Sequence, residues 1–273
     1  MKLSLIITNY KTPELLNLCL KSIKETLNDV EKEVFVMDAE TNEDTEFVVK
    51  GNFPEFNLVP FEKNVGFTHL VNEGLKKANG EFIFILNSDI ILAKGAAEKL
   101  ISYLSQNQDV GLVGPQLLNL DNMVQESCRR FFGPLTILAS RTIFGKTGWG
   151  KKILDKSLMR DYDHKRTIDV DWIFGAALMV KREALGKVGL MDKRFFMYLS
   201  DADWCFRFWQ AGYRVVYLPE VKIYHYHLRV SKKRGGLQDL FINKYTWIHI
   251  FDAIKYFLKY GTKASSLNKT SKI

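Results

Sequence analysis

The chain is poor in cysteine: Cys19, Cys128 and Cys205 are scattered through 273 residues, with no CxxC pair. Isolated thiols speak against a disulfide framework or a cysteine-based zinc site, and they suit a reducing compartment such as the cytoplasm. No apolar run approaches the roughly 20 residues that span a bilayer. The opening "MKLSLIITNYK" ceases to be apolar at Asn9, short of the apolar region and cleavage site of a signal peptide, and reads as a buried strand. No GxGxxG follows that strand, and "SRTIFGKTG" has Ser140 where a P-loop requires glycine, so both phosphate-cradling motifs are missing. No internal repeat is evident. The composition, 47% hydrophobic and 26% charged, allows one large α/β domain or two small ones.

Charge is unevenly placed. Residues 222–273 hold eleven Lys/Arg against two acids, a net +9, so the preceding 221 residues come to −1 of the overall +8. A basic segment on a near-neutral body invites an anionic partner, a phospholipid surface or nucleic acid, or is simply a solvated tail. No recognisable nucleic-acid-binding module accompanies it.

Over the first 115 residues short apolar runs alternate with helical patterns. Strands are expected at 3–8, 33–38, 56–61, 81–86 and 110–115. Helices are expected from Thr12-Pro13 to about Leu27, within 64–80, and over 96–107. Such alternation predicts an α/β fold with a mainly parallel sheet flanked by helices. Ligands on such sheets bind beyond the carboxyl ends of the strands, which singles out Thr8-Asn9, Asp38 and Asn87-Ser88-Asp89. Residues 116–168 read as loops with short helices. A strand and helix follow at 170–185, a helix at 201–213 and a strand at 214–219. Apolar positions from Leu237 to Tyr260 recur at three- and four-residue steps, predicting amphipathic C-terminal helices.

Each polar cluster has a structural and a chemical reading. Asn87-Ser88-Asp89 is a turn or a place for Asp89 to hold Mg²⁺ or Mn²⁺. Asp38 is a helix cap or an acceptor for a base or ribose. In "SDADW", Ser200 can cap the next helix with Asp203 closing a capping box. Asp201, beside Phe195, Phe196, Tyr198 and Trp204, is a candidate general base. His225 and His227 point the same way along a strand and can complete a metal site, contact phosphate or be merely exposed.

In order, "SLIITNYKTPELLNLCLKSI", Asp38, "NVGFTHLVNEG", "FILNSDI", "VGLVGPQLLN", "DWIFGAALMVKREAL" and "FFMYLSDADWCFRFWQAGYRVVYLPEVKIYHYH" resemble a family 2 glycosyltransferase of the GT-A fold, close to its rhamnosyltransferase-like members. The resemblance covers roughly residues 3–230. It implies a catalytic domain over 1–230, followed by a basic amphipathic helical segment over 231–273. It also implies an inverting, metal-dependent transfer from a UDP- or dTDP-sugar to a glycan or lipid-linked acceptor in cell-surface polysaccharide synthesis. Thr8, Asn9, Asp38, Asn64, Gly66, Asn72, Asn87 and Ser88 would shape the donor site. Asp89 would bind the metal with His225 (alternate His227), and Asp201 (alternate Asp203) would be the base. Two departures stand out: Asn87 replaces the first acid of the family's Asp-x-Asp, and Ser200 replaces the Glu of its Glu-Asp pair. The second leaves open a catalytically impaired binding or scaffold protein. The C-terminal helices would either rest on the cytoplasmic face of a membrane or pack on the domain.

Overall fold

The computed structural model describes residues 2–226 and 244–261. Strands β1 (Leu3–Tyr10), β2 (Lys32–Ala39), β3 (Asn57–Phe61) and β4 (Phe82–Asn87) are mutually parallel, in the order β3-β2-β1-β4. Helix α1 (Pro13–Thr26) connects β1 to β2, a short helix α2 (Glu43–Glu46), continued as one π-helical turn over Phe47–Asn52, precedes β3, and α3 (Phe67–Lys77) connects β3 to β4. Beyond β4 come β5 (Ile90–Ile91), α4 (Ala96–Gln106) and β6 (Val110–Leu118).

The sheet is covered on both faces, as its unbroken apolar strands require. Leu3, Leu5 and Ile7 of β1, with Phe82, Phe84 and Leu86 of β4, pack with Leu16 and Leu20 of α1 and Leu100 of α4. Ile6, Ile83 and Ile85 face the other way, toward Leu70 and Leu75 of α3. Gly74 permits that second contact: a Cβ there would stand 2.5 Å from Ile6 Cγ2. Its place inside a helix is therefore explained by close packing.

The segment 116–168 contains β7 (Cys128–Arg129), α5 (Pro134–Arg141), a 3-10 turn (Ile143–Lys146) and α6 (Gly148–Ser157), followed by β8 (Ile168–Asp169). After β9 (Trp172–Ile173), β10 (Ala177–Lys181) enters the sheet antiparallel between β4 and β6. Helices α7 (Arg182–Val188) and α8 (Ser200–Gln210) lead to β11 (Arg214–His225), parallel to β6. β11 runs six residues past the expected end of its strand, because its far end pairs with β5, His225 opposite Ile90.

The final helix, α9 (Lys244–Tyr260), docks through an acid. The buried Asp252 accepts the backbone N–H groups of Phe196, Met197 and Tyr198 at 3.1–3.2 Å. Tyr256 is fully buried, its ring 5.2 Å from Phe132. Part of the expected helical region, 237–243, lies outside the described residues, as does the boundary at 230/231.

Candidate active site

Sheet register assembles the first group. Asn9 faces Asp38 across β1 and β2, and Thr8 faces Asn87 across β1 and β4. Asn9 Nδ2 donates to Asp38 Oδ1 at 2.6 Å and Thr8 Oγ1 to Asn87 Oδ1 at 3.0 Å. Thr12 Oγ1 donates to Asn9 Oδ1 at 2.8 Å and lies 3.0 Å from Ser88 Oγ. Asp38 is buried, and its Oδ2 has no hydrogen-bond partner among the described residues. Burial pushes this carboxyl's pKa up, against the Asn9 hydrogen bond and weaker support from the Thr41 and Thr45 hydroxyls. A buried acceptor without a donor is one that a ligand N–H or O–H can satisfy.

The second group joins the end of β11 to the turn after β4. Gln125 Nε2 donates to Asn119 Oδ1 at 2.7 Å and to the His225 carbonyl at 2.9 Å. Its Oε1 is therefore the atom 2.7 Å from His225 Nδ1. This network assigns the hydrogen to Nδ1, which makes Nε2 an acceptor in the neutral imidazole. Nε2 lies 3.3 Å from Asp89 Oδ1, a buried oxygen without a hydrogen-bond partner among the described residues. Two acceptors at this separation suit a cation or proton shared between them. Among the described residues no cluster of three or more His, Cys, Asp or Glu converges on a metal position. An ion here would draw its remaining ligands from a bound anion and water, as Mg²⁺ commonly does. His227 lies outside the described residues.

The third group surrounds Asp201. The chain enters α8 through Leu199 in the left-handed region, φ +64°. Asp201 is partly buried; its Oδ2 accepts the Gly175 N–H at 3.0 Å and its Oδ1 the Ala202 N–H at 2.9 Å. Burial raises the carboxyl's pKa, opposed by these two N–H groups and by the Arg129 charge. Arg129 is held by the ring of Phe174, 4.4 Å from its centroid, and by that of Trp172 at 5.2 Å. Residues 174–176 tie the groups together, since the Asn87 N–H donates to Ala176 O and the Phe174 N–H to Ser127 O.

Other expected residues take different places. Asn64 Oδ1 accepts the Gly66 N–H at 3.0 Å, and Gly66, at φ +83°, has Phe196 O only 2.4 Å from where a Cβ would be. This turn abuts the loop that carries Asp201. Asn72 does not present a free polar group: its amide donates to Met191 O and accepts the Met191 N–H, each at 2.9 Å, fixing the 189–192 loop. Asp203 is fully buried, accepting from Arg207 Nε at 3.0 Å, Tyr260 OH at 2.7 Å and Lys259 Nζ. It ties α8 to α9 instead of facing the site. Ser200 is not the N-cap but the first helical residue, its hydroxyl donating to Met197 O, and the Asp203 N–H reaches Leu199 O. Leu199 takes the cap position without a side-chain cap hydrogen bond, so the expected capping box does not form. Phe195 and Trp204 are buried in the core, and Phe67 lies close to Gly175, whose N–H Asp201 accepts.

Sequence reasoning missed Gln125, Arg129, Gly175 and the bridging role of Thr12. Gln125 and Arg129 carry no local signal, because their partners arrive from the far end of the chain.

Comparison with known proteins bears on the family and the fold. The profile described as Glycosyl transferase family 2 matches residues 4–188. An N-acetylglucosaminyl-diphospho-decaprenol L-rhamnosyltransferase of Mycobacterium tuberculosis is 23% identical over 230 residues, 80% of this chain and 74% of that protein. The dTDP-rhamnosyl transferase RfbF of Shigella flexneri is 24% identical, over 81% of this chain and 67% of its own length. Among solved structures, the mannosyltransferase PcManGT from Pyrobaculum calidifontis, in complex with GDP-Man and Mn²⁺, superposes with a TM-score of 0.56 at 17% identity, covering 98% of this chain and 78% of its own. S. aureus TarS gives a TM-score of 0.57 at 15% identity, covering 94% of this chain and 40% of its own. With a GT-A-like curled, mostly parallel sheet and the family profile across most of its length, the chain belongs to glycosyl transferase family 2 and is a glycosyltransferase.

Proposed function

We propose that this glycosyltransferase moves a sugar, rhamnose in the leading reading, from a UDP- or dTDP-sugar to a hydroxyl of a glycan or lipid-linked acceptor in cell-surface polysaccharide synthesis. The transfer uses Mg²⁺ or Mn²⁺ and inverts the anomeric centre. The observation that carries it is the pair of facing acceptors, Asp89 Oδ1 and His225 Nε2, at the ligand end of the sheet. The names of the rhamnosyltransferase relatives supply the sugar, and the Mn²⁺ of the PcManGT complex supports the ion.

In this reading Asp38 and Asn9 receive the nucleotide's base. Thr8, Asn87 and Ser88 border the ribose and phosphates, and the Asn64–Gly66 turn closes that pocket. A divalent ion held by Asp89 and His225 would neutralise the charge that grows on the departing diphosphate. Asp201 accepts the proton of the acceptor hydroxyl as that oxygen attacks the sugar. Its raised pKa makes it a stronger base than an ordinary carboxylate, while Arg129 opposes its neutralisation. With Asp203 locked onto α9, Asp201 is the carboxylate in the first turn of α8 left for the site. With Asp201 acting as a base, the transfer is a single displacement, which inverts. The C-terminal segment would keep the enzyme peripheral on the cytoplasmic face of the membrane. Among the described residues no helix is long and apolar enough to cross it.

The test is calorimetric titration of UDP and dTDP, each with and without Mn²⁺ or Mg²⁺, on wild type and Asp89→Ala. Metal-dependent binding that disappears in Asp89→Ala is expected. Binding indifferent to both metal and mutation would overturn the assignment of the ion.

A further inference from the structure

Two exposed apolar sets take no part in the proposed reaction. On α9, Trp247, Phe251, Ile254 and Leu258 are 48%, 54%, 48% and 82% exposed. They follow one another at steps of four, three and four, so they line one stripe of the helix. The opposite face carries the buried Asp252, Ala253 and Tyr256 that dock it. In the α5–α6 segment, Leu135, Leu138, Ile143 and Trp149 are 49%, 48%, 80% and 59% exposed. α5 starts two residues after Phe132, whose ring contacts both Tyr256 and Phe257 of α9. The segment that leads into α5 therefore packs against α9.

Single exposed apolar residues are unremarkable, whereas groups of them within one segment mark an interaction surface. Charge selects the occupant. Residues 133–157 hold five Lys/Arg against one acid. Lys146, Lys151, Lys152 and Lys156 are exposed and make no ion pair among the described residues, while the lone acid, Asp155, is paired with Arg160. In a two-fold dimer the same patch meets itself, which would press these cations together. Anionic phospholipid headgroups would neutralise them and leave the apolar side chains to the acyl boundary.

We propose that α5–α6 is a membrane-docking element for an anionic phospholipid surface, acting with the outer face of α9. Ile143 and Trp149 enter the interface, and Lys146, Lys151 and Lys152 meet the phosphates. The benefit to the enzyme rests on the lipid-linked acceptor reading: the inner face of α9 holds the 196–198 loop, so docking brings the Asp201 side of the site toward the bilayer. The binding itself is independent of that reading.

The experiment is co-sedimentation of the full chain with phosphatidylcholine vesicles, with and without about 30% phosphatidylglycerol. It compares wild type, Ile143→Ser/Trp149→Ser and Lys146→Glu/Lys151→Glu/Lys152→Glu, each checked for an unchanged melting curve and for nucleotide binding. Wild type should bind the anionic vesicles, and both variants should bind at least about tenfold more weakly with nucleotide affinity unchanged. Unweakened binding by the variants would overturn the role of α5–α6 and leave docking to the C-terminal segment. No vesicle binding by wild type would sink the surface, and self-association abolished by the same variants would assign it to a second copy. Vesicle binding without any nucleotide binding would instead overturn the transferase reading and spare this one.

Discussion

The proposed nucleotide end and the proposed base end of this site are built by different means. Asn9 meets Asp38, and Thr8 meets Asn87, because strand register pairs those positions. Once the sheet forms, that group exists. Asp201 is instead held by Gly175, 26 residues away, His225 by Gln125, 100 away, and the 196–198 loop by Asp252, 54–56 away. Each of these is a side-chain contact that one substitution removes. The first group is a property of the sheet, the second of a few bonds laid over it. Changes at the base end should therefore damage chemistry while nucleotide binding survives.

The sharpest break in that comparison is Asp201→Asn. Loss of a positioned base should lower kcat by about 10²–10⁴-fold, with affinity for the nucleoside diphosphate unchanged by calorimetry. A variant that keeps full turnover would remove Asp201 from the reaction, and one that also fails to bind nucleotide would show that the two ends are not separable. Asp252→Ala tests the scaffold of the base end. It strips a charged acceptor from three backbone N–H groups beside the core. Roughly 3 kcal/mol of stability should be lost, about 6–12 °C in Tm for a domain of this size. Thermal melts read it directly, and an unshifted Tm would mean that the loop holds its shape without α9.

Gln125→Leu acts between the two ends. It removes the acceptor that fixes the His225 tautomer, and losing such a partner behind a metal-ligating histidine weakens metal binding by about 10–100-fold. Titrating Mn²⁺ into the UDP- or dTDP-bound protein should show the loss without a change in metal-free nucleotide binding. Equal affinity in wild type and variant would remove His225 from the ion.

How much of this was legible in the sequence follows the same division. Strand–helix alternation identified β1 to β4 and β6, and with them the polar residues at the ends of β1, β2 and β4. The antiparallel entry of β10 was not legible, because a short apolar strand reads alike in either direction. Nor was the continuation of β11 to His225, which depends on pairing with a two-residue strand far earlier in the chain, His225 opposite Ile90. Asp201 and Asp203 could not be separated by type or spacing. What separates them is Lys259 and Tyr260, which bond to Asp203, whereas Asp201 accepts the Gly175 and Ala202 N–H groups. The resemblance supplied the sugar chemistry but not the supporting residues Gln125 and Arg129, whose stretch has little periodicity of its own.

Arg129→Gln should produce the smallest effect and the most specific one. Burial raises the Asp201 pKa and the Arg129 charge works against that rise. Removing the charge must therefore push the carboxyl higher. A base acts only when deprotonated, so the acid limb of kcat/KM should move to higher pH, with activity lost first on the acid side and retained within about a few-fold well above the limb. Arg129→Lys keeps a cation but gives up the planar stacking on Phe174 and Trp172, so it should restore the limb while leaving packing weakened. A limb that stays in place in Arg129→Gln, with Tm lowered, would reduce Arg129 to a packing residue. A shifted limb at constant Tm would establish that the segment after Gln125 serves both ends, holding the histidine with one residue and tuning the base with another four positions on.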